Sequence, residues 1–339
     1  MDIPEEATVL DISGRSVLPG LIDMHGHMYA MGSNQFAAYP SLFLAGGVTT
    51  VFSPGDLDPE GMTALRDSVK RGEIEFVVTE AHAAGLKVTG HLGGPTTSLR
   101  AIELGIDGLE HGLFAVAEIT EVPQNGPLAD QYCSLAEVDL SSADVESLID
   151  AIVADSVWVT PTIITMTGIH PDFVPPTADA LDFLSDSLRS LMENQPPYLD
   201  ERGADCLDRA LELQLEFVHR VHERGGLVAT GTDPVHPLLM PGYALHSEMA
   251  LLVEAGFTPL EAIAAATRNE AVALGLDGEI GIVREGLRAD LTAVRGDPAA
   301  DITAIGNTTM VFKDGIQYDP QELREAVKGK IGTPSGDEL

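Results

Sequence analysis

Short apolar runs alternate along this chain with longer amphipathic stretches. Residues 17–24, "VLPGLIDM", are almost unbroken apolar or small and read as one buried strand. "GVTTVFS" (47–53) is β-branched and reads as another. "LKVTG" (86–90), "DGLE" (107–110), "SVWVTPTI" (156–163) and "LVATGT" (227–232) are further strand candidates, and "TVLDI" (8–12) is a short one. Helical periodicity occupies 58–72, 74–85, a stretch around 96–104, 141–155, 206–226, 244–256 and 258–276. Thr258, Pro259 and Glu261 spell a capping box with proline at the first helical position. The polar, proline-containing stretch 168–200 reads as a long loop. After Gly275 the texture changes to short strands and turns, and 320–339 reads as a polar tail that frays.

Strand–helix alternation on this scale predicts an α/β fold, a TIM-like (β/α) barrel over residues 17–275. About six strands are recognisable, so the barrel is expected to be incomplete. The late strands (276–320) are expected to join residues 1–16 in a small β-sandwich appendage, with 321–339 as a flexible tail. A doubly wound sheet would also alternate, but "HLGGP" (91–95) lacks the glycine fingerprint expected after its first strand.

Composition narrows the picture. A chain of 339 residues with 44% hydrophobic positions can bury a sizeable core. It has no apolar run long enough to span a membrane and no basic, apolar leader at its start. The formal net charge of −34 excludes nucleic acid and anionic membrane as partners, since phosphate binding needs a basic surface. The acids are spread along the chain, a surface suited to a high-salt, halophilic cytosol where screening shrinks to about 3 Å at 1 M. Cys133 and Cys206 are too few for a disulfide framework and are expected as ordinary thiols in a reducing cytoplasm.

The candidate chemistry sits where strands end. His25 and His27 are two apart, so an extended backbone points both to one side. His91, His111 and Asp233 each follow a separate strand candidate. Singly these signals are weak, but together they place five metal-ligand side chains at the rim where barrel active sites lie. Imidazole and carboxylate suit Zn²⁺. Other signals read as structural: His219 and His222 as a solvated helix face, Trp158 as core, and the calcium-loop mimic at 56–67 as a helix start. His246 reads as capping, packing or pocket lining. His170 and His236 sit on loops that can cover the barrel mouth.

The chain resembles the amidohydrolase superfamily, and within it the imidazolonepropionase-like and Xaa-Pro-dipeptidase-like hydrolases. The resemblance is carried by "GRSVLPGLIDMHGH" (14–27), "AGGVTTV" (45–51), "EAHAAGLKVTGH" (80–91), "GIDGLEHG" (105–112), "VWVTPTI" (157–163), "GTDP" (231–234), "LHSEMALLVEAGFTPLEAIAAAT" (245–267) and "GIVREGLRADL" (281–291). It implies that His25 and His27 are the first-strand metal pair, and that His91 and His111 are ligands from the fifth and sixth strands. Asp233 becomes the eighth-strand aspartate that binds metal and takes a proton from the attacking water. The activity implied is metal-dependent hydrolysis of an amide or cyclic C–N bond in a small molecule. A deaminase on the same scaffold, or a truncated and inactive metal-binding relative, are the alternatives. Relatives of this kind often form dimers or larger assemblies, so the resemblance implies a homo-oligomer.

The spacing departs from the family pattern between 53 and 86, where members fit two further strands and a lysine or glutamate that bridges two metals. Neither Lys70 nor Glu75 is a convincing counterpart. One tightly held Zn²⁺ is therefore expected and a second is not. A single-metal arrangement would use His25, His27, His91 and Asp233, with His111 beside it as an electrophile.

Overall fold

The computed structural model describes residues 8–27, 38–53, 74–91, 97–117, 126–234 and 237–332. The helix read at 58–72, the loop at 56–67, Lys70 and His236 lie outside the described residues.

Two kinds of sheet are built. In one, β2 (Leu21–Asp23) pairs in parallel with β3 (Val48–Val51). β4 (Thr89–Gly90), β5 (Gly108–Glu110) and β6 (Trp158–Thr160) form a second parallel group in that order. Residues 227–233 join the two groups. Val228 bridges Val159 in parallel. On the opposite side, Met24 N–H donates to the Thr230 carbonyl (3.0 Å) and Asp233 N–H to the His25 carbonyl (2.7 Å). The parallel segments therefore follow one another as β4, β5, β6, 227–233, β2, β3. The strand expected at 227–232 is this joining segment, which makes one bridge rather than a ladder. Its irregularity has a local cause: at Gly231 a Cβ would lie 2.7 Å from His25 Cβ and 2.5 Å from Thr160 Cγ2, closer than packed atoms come.

The other sheet is antiparallel, ordered β1 (Arg15–Pro19), β7 (Leu291–Arg295), β8 (Thr308–Lys313), β9 (Ile316–Tyr318). This corrects two expectations. Residues 17–24 are not one strand: the chain leaves the antiparallel sheet at Pro19 and enters the parallel array at Leu21. Residues 8–12 take no sheet position, and Val9, Leu10 and Ile12 are exposed. The amino-terminal partner of the late strands is 15–19 instead.

Helices cover the parallel array. Ala143–Ala154 starts at Ser142, whose hydroxyl caps Val145 N–H, and buries Val145, Leu148, Ile149 and Ile152 at helical spacing. The long helix Glu201–Glu223 buries Leu207, Ala210, Gln214, Phe217 and Val221 along one stripe. Gln214 apart, these side chains share one core with Leu21, Val48, Leu109 and Val159 from the strands. The capping box is formed as read, with Thr258 and Glu261 satisfying each other's backbone at the start of Pro259–Ala265. No helix among the described residues is long and apolar enough to cross a membrane.

Three more expectations are corrected. The stretch 168–200 is not all loop: it contains Ala180–Phe183 and Asp186–Asn194, the latter capped by Ser185. Residues 320–332 do not fray. Pro320–Val327 is a helix capped by Asp319, and Ile331 is buried, exchanging backbone hydrogen bonds with Phe183 and Ser185. Finally, Cys133 and Cys206 are joined in a disulfide, with Cα atoms 4.7 Å apart. It crosslinks Leu128–Leu135 to Glu201–Glu223, two helices that pack side by side. The bond removes the argument that two free thiols gave for a reducing compartment.

Candidate metal centre

His25 follows β2, His91 follows β4, His111 follows β5, and Asp233 ends the joining segment 227–233. All four thus sit at the carboxyl ends of parallel segments, with His27 two residues beyond His25. The structure brings the five together. His25 and His27 rings lie 5.1 Å apart, His25 and His111 4.8 Å, and His91 and His111 4.6 Å, between centroids. Asp233 Oδ1 is 3.2 Å from His27 Nε2 and 3.8 Å from His25 Nε2. Asp233 Oδ2 is 3.9 Å from His111 Nδ1. Potential ligand atoms of His25, His111 and Asp233 all lie within 4.8 Å of one another. This grouping differs from the single-metal arrangement read from the sequence, because His111 belongs to the tightest set. His91 stands at the solvent-facing side.

Backbone and buried acids hold these residues in place. His111 (φ 63) and Asp233 (φ 39) have left-handed backbones that non-glycine residues rarely adopt, and such strain persists where the surroundings over-determine it. Asp23 is fully buried and accepts from His25 N–H (3.1 Å), Thr232 N–H (3.1 Å) and the Thr232 hydroxyl (2.6 Å). It staples residues 23–25 to 232–233 and so sets the His25–Asp233 approach. Glu270 performs a similar task one step earlier, accepting Thr230 N–H at 2.8 Å and its hydroxyl at 2.5 Å. Glu110 accepts from His25 Nδ1 at 2.8 Å and from the Thr89 hydroxyl.

Sequence reasoning missed Asp23, Glu110 and Glu270 as parts of the site. For Glu110 and Asp23 a signal existed: each is an acid one or two residues before a ligand candidate, inside an otherwise apolar run.

Electrostatics follow from this geometry. Burial pulls His25 down, but the hydrogen bond and charge of Glu110 outweigh it and hold the imidazole above its ordinary range. His111 is driven down to about 3 by burial, then by its His25 and His91 neighbours. His91 is lowered by burial. Burial raises Asp233, but the His27 contact and the surrounding imidazoles outweigh it and hold the carboxyl below its usual range.

The donor set fits a metal ion. Glu110, as an acceptor-only carboxylate, assigns the proton of His25 to Nδ1 and leaves the Nε2 lone pair facing Asp233. Two buried electron-pair donors 3.8 Å apart need a proton or a cation between them. Asp233 Oδ1 is buried and makes no well-aligned hydrogen bond. Both tight-set histidines are also held by a neighbouring side chain, as imidazoles that hold metal are: His25 Nδ1 by Glu110 and His111 Nδ1 by the Thr162 hydroxyl, each at 2.8 Å.

The remaining histidines lie elsewhere. His246 Nε2 meets the Gly46 carbonyl at 2.6 Å, and burial pushes it down to about 4. His170 stands 3.4 Å from Asp208. His222 is not on a solvated face; it stacks on Phe257 with centroids 3.9 Å apart.

Parallel segments whose carboxyl ends bring imidazoles and a carboxylate together define an α/β protein with a site that could hold a metal ion. The model of the Amidohydrolase family matches residues 37–317. The chain belongs to that family. It is 28% identical over 323 residues to an adenine deaminase of Geobacillus kaustophilus, covering 92% of this chain and 51% of the deaminase, so it spans about half of that relative. It is 25% identical over 347 residues to an imidazolonepropionase of Rhizobium meliloti, covering 87% of this chain and 80% of that protein. Among solved structures, a Xaa-Pro dipeptidase with bound methionine in the active site superposes with a TM-score of 0.63 at 19% identity, covering 94% of this chain and 90% of that one. At that identity the likeness speaks for the fold.

Proposed function

We propose that the chain is a metal-dependent hydrolase of an amide or cyclic C–N bond in a small molecule, working with one Zn²⁺. The observation that carries this is the convergence of His25, His111 and Asp233 within 4.8 Å, from segments scattered over the chain. In this reading the six parallel segments are a TIM-like barrel short of two strands, and the antiparallel sheet is its appendage. His25, His111 and Asp233 hold the ion, with His27 and His91 completing or flanking its shell.

When bound, the zinc supplies a Lewis acid that activates water and polarises a carbonyl. The chain's own residues do the rest. Asp233 is ionised at neutral pH, because its imidazole neighbours hold it low, and it accepts a proton and returns it to the leaving nitrogen. His111 is neutral there, held low by burial, so its ring can hold a cation without repelling it. Glu110 keeps the His25 ring turned so that Nε2 faces Asp233.

The test is a screen of dipeptides, N-acyl amino acids, lactams and imidazolone-type rings in molar salt, comparing wild type with Asp233→Asn. Hydrolysis that Asp233→Asn reduces by at least a hundredfold supports the reading. Ammonia release from an aminopurine would move the chain to the deaminase alternative. No turnover by a zinc-loaded chain, or equal rates in the two proteins, would refute the hydrolase reading.

A further inference from the structure

Thr162 precedes the helix Ile163–Gly168, where a threonine ordinarily caps the helix with its own hydroxyl. Here it does not. Its backbone is left-handed (φ 46, ψ 44) and its side chain makes no cap hydrogen bond. The hydroxyl lies instead 2.8 Å from His111 Nδ1. The cap is supplied from elsewhere: Glu248, fully buried on the helix Tyr243–Glu254, accepts Ile163 N–H at 3.0 Å and Ile164 N–H at 2.8 Å.

A second buried side chain closes the other side of the same turn. Gln214, on Glu201–Glu223, donates to the Pro161 carbonyl at 2.8 Å and accepts Leu113 N–H. It lies so close to Gly112 (φ 48) that a Cβ there would be 2.4 Å from its Nε2. One amide thus ties the turn after His111 to the turn before Thr162. His111 N–H itself donates to the Thr160 carbonyl at 2.8 Å, completing the frame.

We propose that Glu248 and Gln214 are positioning residues for His111: by capping and clamping the Pro161–Ile164 turn from outside, they free the Thr162 hydroxyl to hold the imidazole in one orientation. The inference rests on the metal-centre reading for its consequence, but the orientation of His111 is measurable without metal. Glu248→Gln places an amide where two backbone N–H groups need acceptors, so Thr162 is expected to turn back to its own helix. Mutating outer partners of metal-held histidines weakens binding by about tenfold or more.

The experiment records imidazole ¹⁵N spectra of metal-free wild type, Glu248→Gln, Thr162→Val and the double variant, with His111 assigned from His111→Gln, and titrates each with Zn²⁺. Wild type is expected to show His111 as a single tautomer with two well-separated ring shifts. Glu248→Gln and Thr162→Val should each average those shifts and lose about tenfold in zinc affinity. Adding Glu248→Gln to Thr162→Val should change neither further. Wild-type His111 shifts in Glu248→Gln, or an undiminished Glu248→Gln effect in the Thr162→Val background, would overturn the proposal. If Glu248→Gln does not fold, Gln214→Met replaces it in the same cycle with the same outcomes. A wild type that binds no zinc would refute the metal reading, while the ring shifts would still decide the positioning role.

Discussion

His25 Nδ1 lies 2.8 Å from Glu110 Oε2, although the two residues are 85 positions apart. This contact decides which nitrogen of His25 faces the other ligand candidates. The Glu110 side chain is 1% exposed, so its partner cannot be replaced by bulk water. We expect Glu110→Gln to weaken zinc binding by about 10–100-fold without abolishing it, read by competition with a chromogenic chelator. Unchanged affinity would show that the orientation of His25 does not depend on Glu110.

The buried acids make stability depend on pH in a defined direction. Burial raises the Glu248 carboxyl to about 8, well above the ordinary carboxylate range. A carboxyl with a raised folded pKa binds more protons folded than unfolded, so its stabilising contribution is full at low pH and declines as pH rises through the folded value. The histidines are common to wild type and Glu248→Gln, so their titration cancels in the comparison. Between pH 7 and 8 wild type should lose up to about 1.4 kcal/mol per pH unit more than Glu248→Gln, measured from urea midpoints. Parallel pH profiles for the two proteins would contradict this.

Salt should stabilise the fold. A formal net charge of −34 makes the compact state repel itself, and the repulsion is screened in molar salt. The melting temperature is expected to rise between dilute buffer and 2 M KCl. Equal melting temperatures would remove the case for a halophilic surface.

The Cys133–Cys206 bond closes a loop with a sequence separation of 73. The chain-entropy model gives about 4 kcal/mol for a loop of that size. Reduction should therefore lower the urea midpoint, and Cys133→Ser with Cys206→Ser should reproduce the loss without reductant. A reduced protein as stable as the oxidised one would contradict it.

The residues of the centre were legible because their signals are local. His25 and His27 are two apart, and His91, His111 and Asp233 each follow an apolar run that becomes a strand end or the joining segment. The Thr258–Glu261 capping box was legible for the same reason. What the sequence hid depends on distant neighbours. Nothing local shows that Pro19 and Leu21 serve different sheets, or that two cysteines so far apart meet across packed helices. Gln214 and Glu248 look in sequence like any surface polar residue, and for Asp23 and Glu110 the sequence shows only an acid near a ligand candidate. Their burial follows only from the packing of the parallel segments and the helices over them.

The central claim is that His25, His111 and Asp233 share one ion. The direct measurement is the zinc content of protein stripped with chelator, reloaded and freed of excess metal, for wild type and Asp233→Ala. The account predicts one Zn²⁺ per chain in wild type and almost none in the variant. No zinc in wild type, two per chain, or full retention by Asp233→Ala would contradict it.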